Sequence, residues 1–78
     1  MTLTYSEIEE AAVGTFINGM GYGAGYDACY GCINGTWYAA AWYVPEKKTA
    51  GLVECEDEDE ATRIAHAMAS GNSEYFFD

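Results

Sequence analysis

The chain is predicted to fold as a single acidic α+β domain, residues 1–78, in which two helices pack on one face of a three-stranded antiparallel meander. An Asn-Gly pair at residues 34–35 separates two segments rich in aromatic and β-branched residues, which is typical of a β-hairpin. Helix-start signals lie near both ends of the chain, so the predicted order is α-β-β-β-α. Half of the residues are hydrophobic, too many for a disordered acidic segment, and 78 residues leave room for one core.

The first helix is predicted to begin at Thr4 or Ser6. Thr4 with Glu7, and Ser6 with Glu9, form two overlapping capping boxes. Asn18-Gly19 supplies a stop signal, because glycine accepts the left-handed conformation that closes a helix. Between these signals, apolar residues recur at a spacing of three to four, as on one face of a helix: Ile8, Ala12, Val13, Phe16, Ile17 and Met20.

A glycine-rich segment, residues 19–25, is interpreted as a connector. It contains a Gly-x-Gly pattern, but a dinucleotide-binding fingerprint needs a strand before the glycines and a helix after them. Here the predicted order is the reverse.

The hairpin consists of residues 26–33 and 36–44. Its two-residue turn sets the register: Ile33 faces Thr36, Cys32 faces Trp37, Tyr30 faces Ala39, Ala28 faces Ala41 and Tyr26 faces Tyr43. Both faces of the hairpin are then aromatic, although the helices are expected to cover only one. The aromatic face on the uncovered side is interpreted as either a second core under the C-terminal segment or an exposed interface patch, and it carries Tyr26, Tyr30, Trp37 and Tyr43.

A third strand is predicted at residues 49–55, after a turn that contains Pro45. The second helix is predicted at residues 58–69, with Asp57 or Asp59 as its cap and Ser70-Gly71 as its end. The aromatic tail, residues 74–78, is expected to dock on the sheet or on a helix, with a short fourth strand as one form of docking.

The charge balance predicts a basic protein partner. The chain has 3 basic and 13 acidic residues, a formal charge of −10. Such a charge repels nucleic acid and anionic membranes and attracts basic surfaces. The sequence shows neither a secretory signal nor a membrane-spanning run, and its three cysteines are an odd number. Together these features predict a cytoplasmic protein.

The strongest charge cluster is the segment 54–60, in which six of seven residues are carboxylates. A helix dipole accounts for two or three of them, because only the first turn feels it. The rest predict a row of negative charge that faces a partner's Arg/Lys groove. Alternate residues of an extended chain lie about 6.6 Å apart, close to the separation of successive phosphates on one nucleic-acid strand, so such a row can resemble phosphates. The predicted partner-binding residues are these carboxylates, with the aromatic face as anchor: Glu54, Glu56, Asp57, Glu58, Asp59, Glu60, Tyr26, Tyr30, Trp37 and Tyr43.

The cysteines offer an alternative, a small zinc-stabilised interaction module. Cys29, Cys32, Cys55 and His66 provide the ligands for one Cys₃His site. A strand at residues 26–33 would place Cys29 and Cys32 on opposite faces, which opposes this alternative. No cofactor is expected, and no enzymatic activity, because nothing in the sequence supplies a third catalytic group or an oxyanion hole for His66.

In length, charge and architecture the chain resembles the small phage-encoded anti-CRISPR proteins. The resemblance lies also in a strand that runs into an acid-capped, alanine-rich helix, residues 56–69. It implies a non-enzymatic inhibitor that occupies a basic nucleic-acid groove of a CRISPR-Cas effector in the host cytoplasm, by DNA mimicry or steric block. A third hypothesis is a self-associating phage accessory protein whose aromatic face makes a homodimer.

Overall fold

A four-stranded antiparallel sheet forms the centre of the protein, in the order β1-β2-β3-β4. The computed structural model describes residues 3–17 and 25–77. It confirms the predicted α+β class and meander, with the element order α-β-β-β-β-α. The elements are α1 (Tyr5–Glu10), β1 (Ala12–Phe16), β2 (Tyr26–Ile33), β3 (Thr36–Tyr43), β4 (Lys48–Cys55) and α2 (Glu58–Ala69), with short 3₁₀ helices at Val44–Glu46 and Ser73–Tyr75.

The β2–β3 hairpin has the predicted register throughout, from Ile33 opposite Thr36 to Tyr26 opposite Tyr43. Its turn residues Asn34 and Gly35 both have positive φ, 52° and 83°. A turn of this kind matches the right-handed twist of the strands and therefore sets which residues pair. The second helix also begins and ends at the predicted residues, with Asp57 as its cap.

The first predicted helix is correct at its start and wrong at its end. The Glu7 carboxylate accepts from the Thr4 backbone N–H at 3.2 Å, which is the backward contact of the capping box, and also from the Thr4 hydroxyl at 3.3 Å. However, α1 ends at Glu10, and residues 12–16 form β1. The predicted stop at residues 18–19 and Met20 lie outside the described residues, as does the glycine-rich connector apart from Gly25.

Residues 13–15, Val-Gly-Thr, have low helix propensity, and the pairing of residues 12–16 with β2 selects a strand over a helix. Gly14 also has a packing role, because a Cβ there would lie 2.5 Å from the Tyr30 hydroxyl. Burial alternates along β1 with a period of two, as expected for an edge strand. Of the apolar residues that suggested a helical stripe, Ile8 therefore lies in α1, whereas Ala12, Val13 and Phe16 lie in β1.

The helices cover opposite faces of the sheet, so the prediction that both pack on one face is wrong. Tyr5 and Ile8 of α1 pack with Cys29 and Ala40. Five buried residues of α2 pack instead on Ala28, Ala39 and Ala41: Ala61, Ile64, Ala65, Met68 and Ala69. Because neighbouring residues of a strand point to opposite faces, Ala39 and Ala40 mark two separate cores. Both faces of the hairpin are apolar, and one helix buries each.

The C-terminal segment docks on the sheet, as predicted, but not as a strand. The Phe77 N–H donates to the Ala50 carbonyl at 2.8 Å. The Phe76 ring lies 4.5 Å from the Tyr26 ring, between centroids. Gly51 allows this approach, because a Cβ there would lie 2.6 Å from the Tyr75 carbonyl oxygen. The fourth strand of the sheet is β1 instead.

Neither helix is of the length and apolar character needed to cross a membrane, within the described residues.

Candidate functional site

The predicted acidic row lies where β4 ends and α2 begins. We call residues 54–60 the acidic junction. Cys55, only 6% exposed, points into the core on the α2 side of the sheet. Glu54 and Glu56, on either side of it in sequence, are exposed. The buried thiol thus holds the strand end in place while its neighbours carry charge into solvent.

Two carboxylates of the acidic junction serve the protein's own fold. Asp57 caps α2, because its Oδ1 accepts from the Glu60 backbone N–H at 2.8 Å. Glu60 reaches back, and its Oε1 accepts from the Glu56 N–H at 2.9 Å. Its other oxygen lies 3.8 Å from Arg63. Helix N-termini carry unpaired N–H groups, so these two residues stabilise the start of α2.

The other four carboxylates, Glu54, Glu56, Glu58 and Asp59, are exposed. Within residues 3–17 and 25–77, their side chains form no hydrogen bond or ion pair. Lys48 pairs with Glu46 at 3.3 Å, in the turn before β4. The acidic junction is therefore a site with four carboxylates that no ion pair neutralises among the described residues.

The aromatic residues predicted as anchors are less accessible than expected. All four lie on the face that α2 covers, so their predicted position on a helix-free face is wrong. Tyr30 and Trp37 pack against the α2 core. Tyr26 lies between Tyr43 and Phe76, with ring centroids 4.9 and 4.5 Å away. All four are half-buried. The face suggested for a homodimer is thus occupied by α2 and the C-terminal segment.

The four proposed zinc ligands do not come together. Cys29 is buried beneath α1, whereas Cys55 packs in the core beneath α2 on the other face. Cys32 is exposed. His66 is exposed on α2, and its ring lies 5.5 Å from the Phe16 ring, between centroids, in an edge-to-face arrangement. No three metal-binding side chains converge anywhere in the described part of the chain. The alternative Cys₃His site is therefore not formed.

Two of the three thiols are buried, and burial disfavours their ionisation. Burial raises the pKa of Cys29 to about 12, although the hydrogen bond from the Tyr5 hydroxyl opposes the shift. Burial also raises the pKa of Cys55 to about 11, and the negative charge of Glu60 adds to it. Since the thiolate is the reactive form, both side chains are expected to be inert near neutral pH.

We therefore expect a thiol reagent such as Ellman's reagent to modify Cys32 at least about 100-fold faster than Cys29 and Cys55 near pH 8, because Cys32 alone is exposed. Stopped-flow absorbance would show that one of the three thiols reacts in a fast phase. The substitution Cys32→Ser should remove the fast phase and leave the slow ones. A fast phase that persists in Cys32→Ser would contradict the burial of the other two thiols.

A small cleft between α1 and the sheet was not predicted. It has a volume of about 170 Å³ and is lined by Tyr5, Ser6, Glu9, Asp27 and Trp42. The hairpin register does place Asp27 opposite Trp42, so part of the signal lies in the sequence. The sequence does not show that Tyr5, Ser6 and Glu9 of α1 also line the cleft, because no local pattern shows where α1 packs.

No protein-family model, no curated protein and no solved structure matches the chain. Function is therefore inferred from the charge and geometry of its own residues.

Proposed function

We propose that this protein is a non-catalytic acidic inhibitor that binds a basic, nucleic-acid-binding surface of another protein. The observation that carries the proposal is the acidic junction, where four exposed carboxylates have no partner among the described residues. The formal charge of −10 would attract a basic surface from a distance and speed the encounter.

The backbone of the acidic junction supports this proposal. Glu54 lies in β4, while Glu58 and Asp59 lie in the first turn of α2, so regular structure holds three of the four carboxylates. The cap formed by Asp57 and Glu60 orders the two-residue link between these elements. A pre-ordered row of carboxylates loses less conformational entropy on binding than a flexible acidic tail would. It can therefore compete with phosphates for Arg and Lys side chains.

The resemblance to anti-CRISPR proteins makes the nucleic-acid groove of a CRISPR-Cas effector the first partner to test, in the host bacterial cytoplasm. Two mechanisms are proposed for the inhibition. The carboxylates either take the places of DNA phosphates in the groove or block the groove sterically from beside it.

The test is competition for DNA. We expect the protein to reduce target-DNA binding by at least one guide-loaded CRISPR effector in a panel, measured by fluorescence anisotropy, and excess DNA should relieve the inhibition. Because the contact is between charges, its affinity should fall at least about tenfold from low to moderate ionic strength. A complex whose affinity is independent of salt, or a panel in which no effector loses DNA binding, would contradict the proposal.

A further inference from the structure

The cleft between α1 and the sheet combines aromatic walls with negative charge. The Tyr5 and Trp42 rings lie 5.6 Å apart, between centroids, at an interplanar angle of 37°. The carboxylates of Glu9 and Asp27 stand at its rim. Its volume of about 170 Å³ corresponds to about six water molecules at about 30 Å³ each, enough for the head of one long side chain.

The walls of the cleft are firmly held. Tyr5 is only 5% exposed, and its backbone N–H donates to the Thr49 hydroxyl at 3.3 Å. Trp42 lies on β3, an inner strand of the sheet, where it pairs with Asp27 of β2 and Thr49 of β4. Trp42 is half-buried against the core beneath α1, so part of its side chain is open to a ligand.

The carboxylates give this cleft a negative potential. Burial raises the pKa of Tyr5, and the charges of Glu9 and Asp27 add to the shift. Asp27 also takes part in a further interaction within the fold. We therefore assign the direct ion pair with a ligand to Glu9, which is exposed, and a longer-range attraction to Asp27.

We propose that this cleft binds the guanidinium group of an arginine on the partner protein, stacked on Trp42 and paired with Glu9. A planar guanidinium can lie on an aromatic ring and donate to a carboxylate at its edge, whereas a compact, strongly hydrated ammonium is less suited to both contacts. The identity of the partner rests on the proposed function, but the affinity of the cleft for arginine is separately testable.

The position of the cleft makes it a second contact point for the same partner. Glu54 of the acidic junction pairs with Tyr38, four residues before Trp42 on β3 and on the same face of the sheet. At about 3.3 Å per residue, the cleft lies about 13 Å from Glu54 along the strand. Glu54, at the strand end of the acidic junction, therefore lies on the same face of the sheet as the cleft.

Three charge-matched variants test the cleft: Glu9→Gln and Ser6→Lys at its rim, and Glu10→Gln as a control on the same helix. Each one changes the formal charge from −10 to −9. The probes are hexaarginine and hexalysine peptides, with affinities measured by calorimetry at low salt. We expect Glu9→Gln and Ser6→Lys to weaken hexaarginine binding about three- to tenfold, and Glu10→Gln less than about twofold. Hexalysine should bind more weakly and distinguish less between the variants.

The two tryptophans provide a second readout that needs no substitution in the cleft. With fluorotryptophan incorporated, the ¹⁹F signal of Trp42 should shift on addition of hexaarginine. The signal of Trp37, which packs against the core beneath α2, should not. Substitution of Trp37 by Phe assigns the two signals.

The inference is overturned if Glu10→Gln weakens hexaarginine binding as much as Glu9→Gln, or if the Trp42 signal does not move. If hexaarginine binding depends on the acidic junction alone, the cleft inference fails and the proposed function stands. If the cleft variants behave as expected but no effector loses DNA binding, the proposed function fails and the cleft remains an arginine site.

Discussion

The triple variant Glu56→Gln, Glu58→Gln, Asp59→Asn is expected to weaken binding to the basic partner by roughly three- to a hundredfold while the fold stays intact. Each exposed charge pair contributes about 0.2–1 kcal/mol, so the loss of three removes up to about 3 kcal/mol. These carboxylates make no hydrogen bond or ion pair among the described residues, so their replacement disturbs no internal contact. Competition with DNA on the effector measures the change.

The matched control is the variant Glu10→Gln, Glu46→Gln, Glu74→Gln. Both variants remove three negative charges, from −10 to −7, and all three control residues are exposed outside the acidic junction. The control should lose less than about threefold in affinity, through weaker long-range attraction alone. Equal losses in the two variants would show that overall charge, and not the acidic junction, is what the partner recognises.

Both variants should remain folded. Amides at the start of α2 lose part of the favourable interaction with the helix dipole, about 0.3–1 kcal/mol each. Relief of repulsion between neighbouring carboxylates offsets this loss. Asp57 and Glu60 are unchanged, so the cap of α2 is retained. Circular dichroism and urea unfolding of both variants would verify that a loss of binding is not a loss of structure.

The substitution Met68→Ala is expected to destabilise the protein by about 2–5 kcal/mol. Met68 lies on the buried face of α2, against the sheet, and is among the largest fully buried side chains. Truncation removes its burial free energy and leaves a cavity that a helix resting on β-strands cannot close completely. Because domains of this size have a free energy of unfolding of only about 5–15 kcal/mol, urea unfolding should show a much lower midpoint.

Val13→Ala provides the comparison, because Val13 is 61% exposed on the edge strand β1. It also loses apolar atoms but opens no cavity, so it should cost less than about 1 kcal/mol. A Met68→Ala protein as stable as Val13→Ala would contradict the packing of α2 on the sheet described above.

The elements that the sequence predicted correctly are those specified by short-range chemistry. Asn34-Gly35 determines a turn within two residues, and the register of sixteen paired positions follows from it. Asp57 and Gly71 determine both ends of α2, by an N-cap hydrogen bond and by a positive φ of 89°. Each signal acts within a few residues of the structure that it specifies.

The errors concern contacts between distant segments. Residues 12–16 have apolar spacing compatible with either a helix or a strand, and pairing with β2 selected the strand. Both helices were expected on one face of the sheet, whereas the full burial of Ala39, Ala40 and Ala41 requires a helix on each side. Tyr30 and Trp37, predicted on a face without helices as either a second core or an exposed patch, pack instead against the core beneath α2.

The sequence by itself determined the hairpin, the second helix with its cap, and the position of the clustered carboxylates at the helix start. Only the tertiary structure decided which sheet face each helix covers, that Asp57 and Glu60 serve the fold while their neighbours do not, and that Glu9 and Trp42 share a cleft. The physical reason is range. Turns and caps are stabilised by hydrogen bonds between near neighbours in sequence, whereas two apolar sheet faces can each accept a helix, and only the packing of the whole chain distinguishes between them.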